Sequence, residues 1–116
     1  MIRRGSIHLV DLDPSLGSEA NKIRPAVIVS NDTANATAHR LGRGVVTVVP
    51  VTSNIRRVYP FQVYLTTSDS GLDRDSKAQA EQIRAVGVER IGGRIGVLAG
   101  RSMSELDEAI RIHLSL

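Results

Sequence analysis

Two short segments of this 116-residue chain carry a cation, a hydroxyl and a carboxylate, each set beside a strand-like run. The first is Gly17-Ser18-Glu19-Ala20-Asn21-Lys22-Ile23-Arg24-Pro25, leading into Ala26-Val27-Ile28-Val29-Ser30-Asn31. The second is Val48-Val49-Pro50-Val51-Thr52-Ser53-Asn54. Arg24 stands where a polar loop gives way to a rigid backbone, and its planar fork can hold two phosphate oxygens at once. Thr52 closes an apolar run and opens a polar turn, so its hydroxyl can donate to a non-bridging phosphate oxygen. Glu19, in the loop ahead of Arg24, is suited to accept a proton or to orient the guanidinium. Ser18, Asn21 and Lys22 in that loop, Ser53 and Asn54 after Thr52, and the pair Arg56-Arg57 are further candidates for phosphate contact. On the residues alone these segments describe an anion or nucleic-acid binder. Each also has a plainer reading. An arginine beside a strand commonly pairs with a surface acid, threonine favours strands, and serine and asparagine favour turns.

Composition narrows the partners. The net charge is +3, carried by the first half: residues 1–60 hold eight Lys/Arg against four Asp/Glu, residues 61–116 seven against eight. That favours a polyanion, mildly. The only aromatic residues are Tyr59, Phe61 and Tyr64, in one segment, so base stacking is a minor option unless these rings are exposed. There is no cysteine, hence no disulfide framework and no thiolate metal site. His8, His39 and His113 are isolated from one another, with no metal-ligand spacing, and structural or surface roles are expected for all three. Neither a metal nor a cofactor is expected. No apolar run approaches membrane-spanning length, and a soluble cytoplasmic protein is expected.

The elements that must position these residues follow from periodicity. Residues 6–12, 25–30, 45–51, 61–65 and 94–98 read as strands, with the β-branched run Val45–Val51 as the central one. Asn31-Asp32-Thr33 is a cap for a short helical turn to about residue 38. Leu41-Gly42-Arg43-Gly44 and Ser68-Asp69-Ser70-Gly71 read as turns. Residues 76–88 are ambiguous, with helical propensity over Lys77–Arg84. Ser102-x-x-Glu105 reads as a capping box for a terminal helix with Met103, Leu106, Ile110 and Leu114 on one face. Asp107 and Arg111 are spaced for an ion pair on it. One domain over residues 1–116 is expected: a small, strongly curved β-barrel with a helix appended.

Metal-free RNA cleavage uses the adjacent 2′-hydroxyl as nucleophile. It needs a proton acceptor, a proton donor for the departing 5′-oxygen, and stabilisation of charge on phosphorus. The segments quoted resemble the MazF/PemK (Kid-type) toxin endoribonucleases of type II toxin–antitoxin systems. The resemblance spans nearly the whole chain: Arg4-Gly5-Ser6-Ile7, Val10-Asp11-Leu12-Asp13-Pro14, Gly17-Ser18-Glu19, Arg24-Pro25-Ala26-Val27-Ile28-Val29-Ser30, Pro50-Val51-Thr52-Ser53, Tyr59-Pro60-Phe61-Gln62-Val63 and Ala80-Glu81-Gln82-Ile83-Arg84. Its wording is most similar to actinobacterial, particularly mycobacterial, members.

The resemblance implies an SH3-like β-barrel with a C-terminal helix, acting as a homodimer with an RNA groove across its interface. It implies sequence-selective, metal-independent cleavage of single-stranded RNA (mRNA, with tRNA or rRNA as further targets), leaving a 2′,3′-cyclic phosphate and a 5′-hydroxyl. It also implies a cognate MazE-type antitoxin whose disordered tail covers the groove. The family's catalytic arginine falls on Arg24, its threonine on Thr52 and its loop glutamate on Glu19. Arg24 is assigned charge stabilisation and leaving-group protonation. A guanidinium already carries its proton and is a poor general base, which leaves the acceptor of the 2′-proton unassigned, with Glu19 and water as candidates. The alternative on the same fold is a non-catalytic, CcdB-like gyrase inhibitor. Such relatives depend on a tryptophan near the C-terminus, and this chain has none. A third reading is a barrel that only binds RNA or peptide; the shortage of aromatic residues argues against a peptide groove.

Overall fold

Period-two alternation of apolar side chains dominates the computed structural model, which describes residues 1–12 and 23–116. Its elements are β1 (Ser6–Asp11), β2 (Ile23–Ile28), α1 (Asp32–Leu41), β3 (Val45–Thr52), β4 (Gln62–Leu65), α2 (Thr67–Ser70), β5 (Ser76–Gln79), β6 (Arg84–Gly87), β7 (Ile91–Val97) and α3 (Gly100–Leu114). Single 3-10 turns at Ala80–Gln82 and Val88–Arg90 flank β6. The strands pair antiparallel in the order β4-β5-β3-β2-β1-β7, with β6 also on β3.

Both faces of this sheet are covered, which explains the unbroken apolar runs in β2 and β3. One face collects Ile7, Val27, Val49, Val51, Val63 and Leu65 beneath Leu106 and Ala109 of α3. The other collects Val10, Ala26, Ile28, Val46, Val48 and Val86, together with Ala38 of α1. Successive residues of β2 and β3 therefore feed opposite cores. The two strands are also the hinge of the architecture. Val45–Val48 pair with β6, whereas Val51 and Thr52 pair with β5, so β3 changes partner on one edge around Pro50.

The sheet is open: its path ends at β4 and β7, and no ladder joins those strands. The expected barrel closure is thus not seen, although the two ends meet through α2. Ala99 N donates to Asp69 O at 2.8 Å. At Gly96 of β7 a Cβ atom would run into the Ser70 carbonyl oxygen, so only glycine permits this approach.

Several local expectations are corrected by tertiary pairing. Residues 76–88, ambiguous from the sequence, resolve into β5 and β6 with a 3-10 turn between them, because both strands find an edge of β3. Asn31 caps α1 as expected, accepting from Ala34 N at 2.8 Å, but the helix runs on to Leu41 and ends at left-handed Gly42. The turn at 68–71 is a one-turn helix capped by Thr66. The capping box does not form: α3 begins at Gly100, its N-cap Ala99 offers no side-chain bond, and Ser102 lies buried in the first turn. Nor does Asp107 pair with Arg111. It binds Arg4 at 2.6 Å, while Arg111 meets Glu108 at 3.6 Å. Arg4 also donates to Val29 O at 2.9 Å, so this bridge ties α3 to the start of the sheet. No helix among the described residues is long and apolar enough to cross a membrane.

Candidate functional site

The β2–β3 ladder stops at Ala26↔Pro50. Pro25 lacks the N–H that would continue it, while the nitrogen of Pro50 lies on the other edge of β3, where β3 passes from β6 to β5. Carried two residues further, the same register sets Arg24 across from Thr52. Both residues share the sheet face of Ala26 and Val48, by the alternation of side chains along each strand. Both are half-buried. On its other side Thr52 is the ladder partner of Lys77 in β5, and Lys77 is in turn the partner of Tyr64 in β4. Thr52, Lys77 and Tyr64 thus form one row across three strands, and the extended register adds Arg24 to its end, where β2 and β3 part.

The backbone after Thr52 is folded by its own side chains. Thr52 Oγ1 accepts from Asn54 N at 3.2 Å, and Asn54 Oδ1 accepts from Arg56 N at 3.3 Å. These two consecutive side-chain turns hold the segment without a regular element. Because Thr52 uses a lone pair here, its hydroxyl proton is still available to donate. Farther on, Arg57 Nη1 donates to Tyr59 Oη at 3.2 Å with its guanidinium 5.7 Å from the ring centroid. Tyr59 stacks on Phe61 with centroids 5.3 Å apart. Gln62 accepts from Tyr59 N at 3.1 Å and donates to Glu81 Oε2 at 2.8 Å. The other oxygen of that carboxylate is buried without a partner among the described residues.

Electrostatically the row is positive. Among the described residues, none of Arg24, Arg56, Arg57 or Lys77 is ion-paired; the acids that do pair engage Arg4, Arg101 and Arg111. The surface-acid reading of Arg24 therefore finds no partner among those residues. Tyr64 donates to Asp75 Oδ2 at 2.6 Å, and this bond, with some desolvation and the nearby carboxylate charge, raises its phenol above the ordinary range. Tyr59 and Tyr64 are both 41% exposed, which restores the stacking option that composition had made minor.

Not every expected residue joins the row. Ser53 turns to the opposite face, where it lines a hollow of about 210 Å³ with Pro25, Val51, Asp73, Arg74 and Ser76. Asn54, Arg56 and Arg57 stay on the Thr52 side, around a second hollow. Ser18, Glu19, Asn21 and Lys22 lie outside the described residues. His8 is structural, as expected: it is buried, with Nδ1 facing Gly92 O and Nε2 facing Ser6 Oγ, both at 2.9 Å. Burial lowers its pKa, and the N-terminal ammonium and Arg94 act in the same direction. His39 and His113 are exposed. Among the described residues no cluster of His, Asp or Glu could hold a metal ion.

Lys77 was missed by sequence reasoning because it sits in a run of good helix formers, Lys77–Arg84. With Ala78 as the one apolar residue of Ser76-Lys77-Ala78-Gln79, no alternation marks this segment as a strand. Another hollow, about 590 Å³, lies at the far end of β3 against α1, lined by Ala34, Ala38, Leu41 and Val45 with Arg43 as its one charged residue.

Residues 3–114 match the family described as the PemK-like, MazF-like toxin of type II toxin–antitoxin systems. Endoribonuclease MazF9 of Mycobacterium tuberculosis is 62% identical over 116 residues, covering all of this chain and 98% of that protein. Endoribonuclease MazF of Staphylococcus saprophyticus is 38% identical, over all of this chain and 93% of its own length. Among solved structures, a mycobacterial endoribonuclease in complex with its cognate antitoxin superposes with a TM-score of 0.78 at 26% identity, covering 100% of this chain and 97% of that one. The chain belongs to the PemK-like, MazF-like toxin family.

Proposed function

We propose that this protein is a toxin endoribonuclease that cuts single-stranded RNA at selected sequences and is neutralised by a cognate MazE-type antitoxin. The observation that carries the reading is the β2–β3 register, which, carried past Pro25, sets Arg24 and Thr52 on one face of the sheet. It is supported by full-length relatives named as endoribonucleases and by a fold shared with an endoribonuclease that binds an antitoxin.

The chemistry follows from the groups present. The 2′-oxygen attacks the adjacent phosphorus, the bond from phosphorus to the 5′-oxygen breaks, and a 2′,3′-cyclic phosphate and a 5′-hydroxyl result. Arg24 spans two phosphate oxygens and offsets the charge that grows on them in the transition state. One of its N–H groups then delivers a proton towards the leaving 5′-oxygen. Thr52 donates to a non-bridging oxygen. The 2′-proton leaves to the Glu19 carboxylate or to water. Each of these steps is performed by a side chain or solvent, so the reaction runs without a metal.

The single-domain toxin acts as a homodimer in the cytoplasm, built on an open, SH3-like curved sheet. Exposed Leu9, Ile23, Val45, Val97, Ile112 and Leu114 supply apolar surface for a second copy to cover. Messenger RNA is the natural substrate class, and tRNA or rRNA loops offer the same single-stranded chemistry. Incubation with a diverse single-stranded RNA pool in EDTA, beside an all-deoxy copy, tests the reading. Cleavage of RNA alone with 5′-hydroxyl ends is expected. An intact RNA pool would overturn it and return attention to gyrase inhibition.

A further inference from the structure

A hollow of about 340 Å³ lies beside Thr52, lined by Asn54, Arg56, Arg57, Tyr59 and Lys77. Three of its five residues are cationic. Lys77 is only 8% exposed, yet it has no carboxylate partner among the described residues. Its Nζ donates to the Arg57 carbonyl at 2.6 Å. An ammonium has three N–H donors, so two remain without an acceptor among the described residues. A buried charge with unused donors is costly unless a ligand completes it. Asp75 of the neighbouring turn accepts from Tyr64 and Thr67 N, Glu81 accepts from Gln62 at one oxygen, and neither is ion-paired to Lys77.

The rim is preorganised around that ammonium. Lys77 grips the chain at Arg57, Asn54 holds Arg56 N, and Tyr59 fixes the Arg57 guanidinium by a hydrogen bond and by its ring face. Two arginine side chains are thereby presented around a buried ammonium, one ladder position from Thr52. Neutral ligands do not require three cations, and a carboxylate would satisfy fewer donors than a phosphate. The strand order continues the same row from Arg24 through Thr52 to Lys77, along which an extended polyanion would run.

We propose that this hollow is a second phosphate subsite, which holds a backbone phosphate flanking the scissile one, and that Lys77 both binds that phosphate and positions the 54–59 segment around it. This rests on the ribonuclease reading for the identity of the polyanion. Lys77 does not touch the reacting phosphorus in this scheme. Its loss weakens binding and leaves the chemical step at saturation intact.

The test uses a 2′-O-methyl RNA strand, which cannot be cleaved, for affinity, and an unmodified strand for single-turnover cleavage. For Lys77→Met the expected result is about a tenfold weaker Kd, a saturated cleavage rate within about twofold of the parent, and a salt dependence of binding shallower by about 0.7 in log Kd against log salt. Lys77→Arg, which keeps charge and donors, is expected to recover most of the affinity. Arg56→Gln alters an exposed rim residue with little risk to folding and is expected to flatten the salt dependence equally. An unchanged Kd and salt slope in both Lys77→Met and Arg56→Gln overturns the proposal. So does a Lys77→Met protein that loses thermal stability with its salt slope intact, since that is a purely structural lysine. If the parent protein cuts no RNA, the ribonuclease reading fails by itself, and the uncleavable strand still reports on the subsite.

Discussion

Removing charge from the row tests whether its electrostatics work as a unit. Arg24, Arg56, Arg57 and Lys77 are the four cations around Thr52 without an acid partner among the described residues. On a single strand each phosphate neutralised adds about 0.7 to the slope of log affinity against log salt, so four give about −2.8. Raising salt from 50 to 200 mM then weakens binding about 50-fold. A strand that crosses both copies of a dimer meets two such sets and doubles the slope. The assay is fluorescence anisotropy with a labelled 2′-O-methyl strand at several salt concentrations. Arg57→Gln should lower the slope by about 0.7 for each set engaged. Arg111→Gln, whose residue pairs with Glu108 on α3, should leave it unchanged. A parent slope shallower than about −1, or an Arg57→Gln protein that loses affinity at constant slope, refutes the reasoning.

Three further outcomes are expected. Leu106→Ala empties a fully buried site beneath α3 and should cost about 3–5 kcal/mol in urea unfolding, as large-to-small core changes do; a loss below about 1 kcal/mol contradicts the two-core description. Asn35 is fully buried and joins Ser30 and Asp32 through three hydrogen bonds, so Asn35→Ala should cost about 1–3 kcal/mol by thermal denaturation. His8 has a lowered pKa in the folded state, so below its ordinary value of 6.5 the unfolded chain binds more protons. Stability must therefore fall as pH drops from 6.5 towards the folded pKa, with a limiting slope of about 1.4 kcal/mol per pH unit, and show no His8 effect above that window. His8→Gln should remove this acid-side slope, measured by urea unfolding between pH 5 and 8.

Strand positions were legible where alternation was strong. β1, β3 and β4 follow from Ile7/Val10, from the β-branched run at 45–51 and from Val63/Leu65, because burial and propensity point the same way there. Residues 76–88 were not legible, since their local preference is helical and only pairing with β3 makes them strands. The capping box is missing because α3 starts earlier than its sequence signature: Ala99 O already accepts from Met103 N, while Ala99 N is tied to Asp69 O. At the site, Arg24 and Thr52 could be nominated from residue type, but their shared face depends on register, which no local pattern encodes. Ser53 illustrates the converse: adjacent to Thr52 in sequence, it opens onto the other side of the sheet. Lys77 is the larger omission, because its value comes from burial and unused donors, both tertiary properties.

The most direct test compares single-turnover RNA cleavage, in EDTA, by the parent protein and by Arg24→Ala, Thr52→Ala and Ser53→Ala. Arg24→Ala and Thr52→Ala should each slow cutting by about 10²–10³-fold, as loss of a transition-state donor does, while Ser53→Ala stays within about threefold. If Arg24→Ala and Thr52→Ala cut at the parent rate, or if Ser53→Ala is the variant that fails, the cofacial Arg24–Thr52 pair is not the catalytic unit.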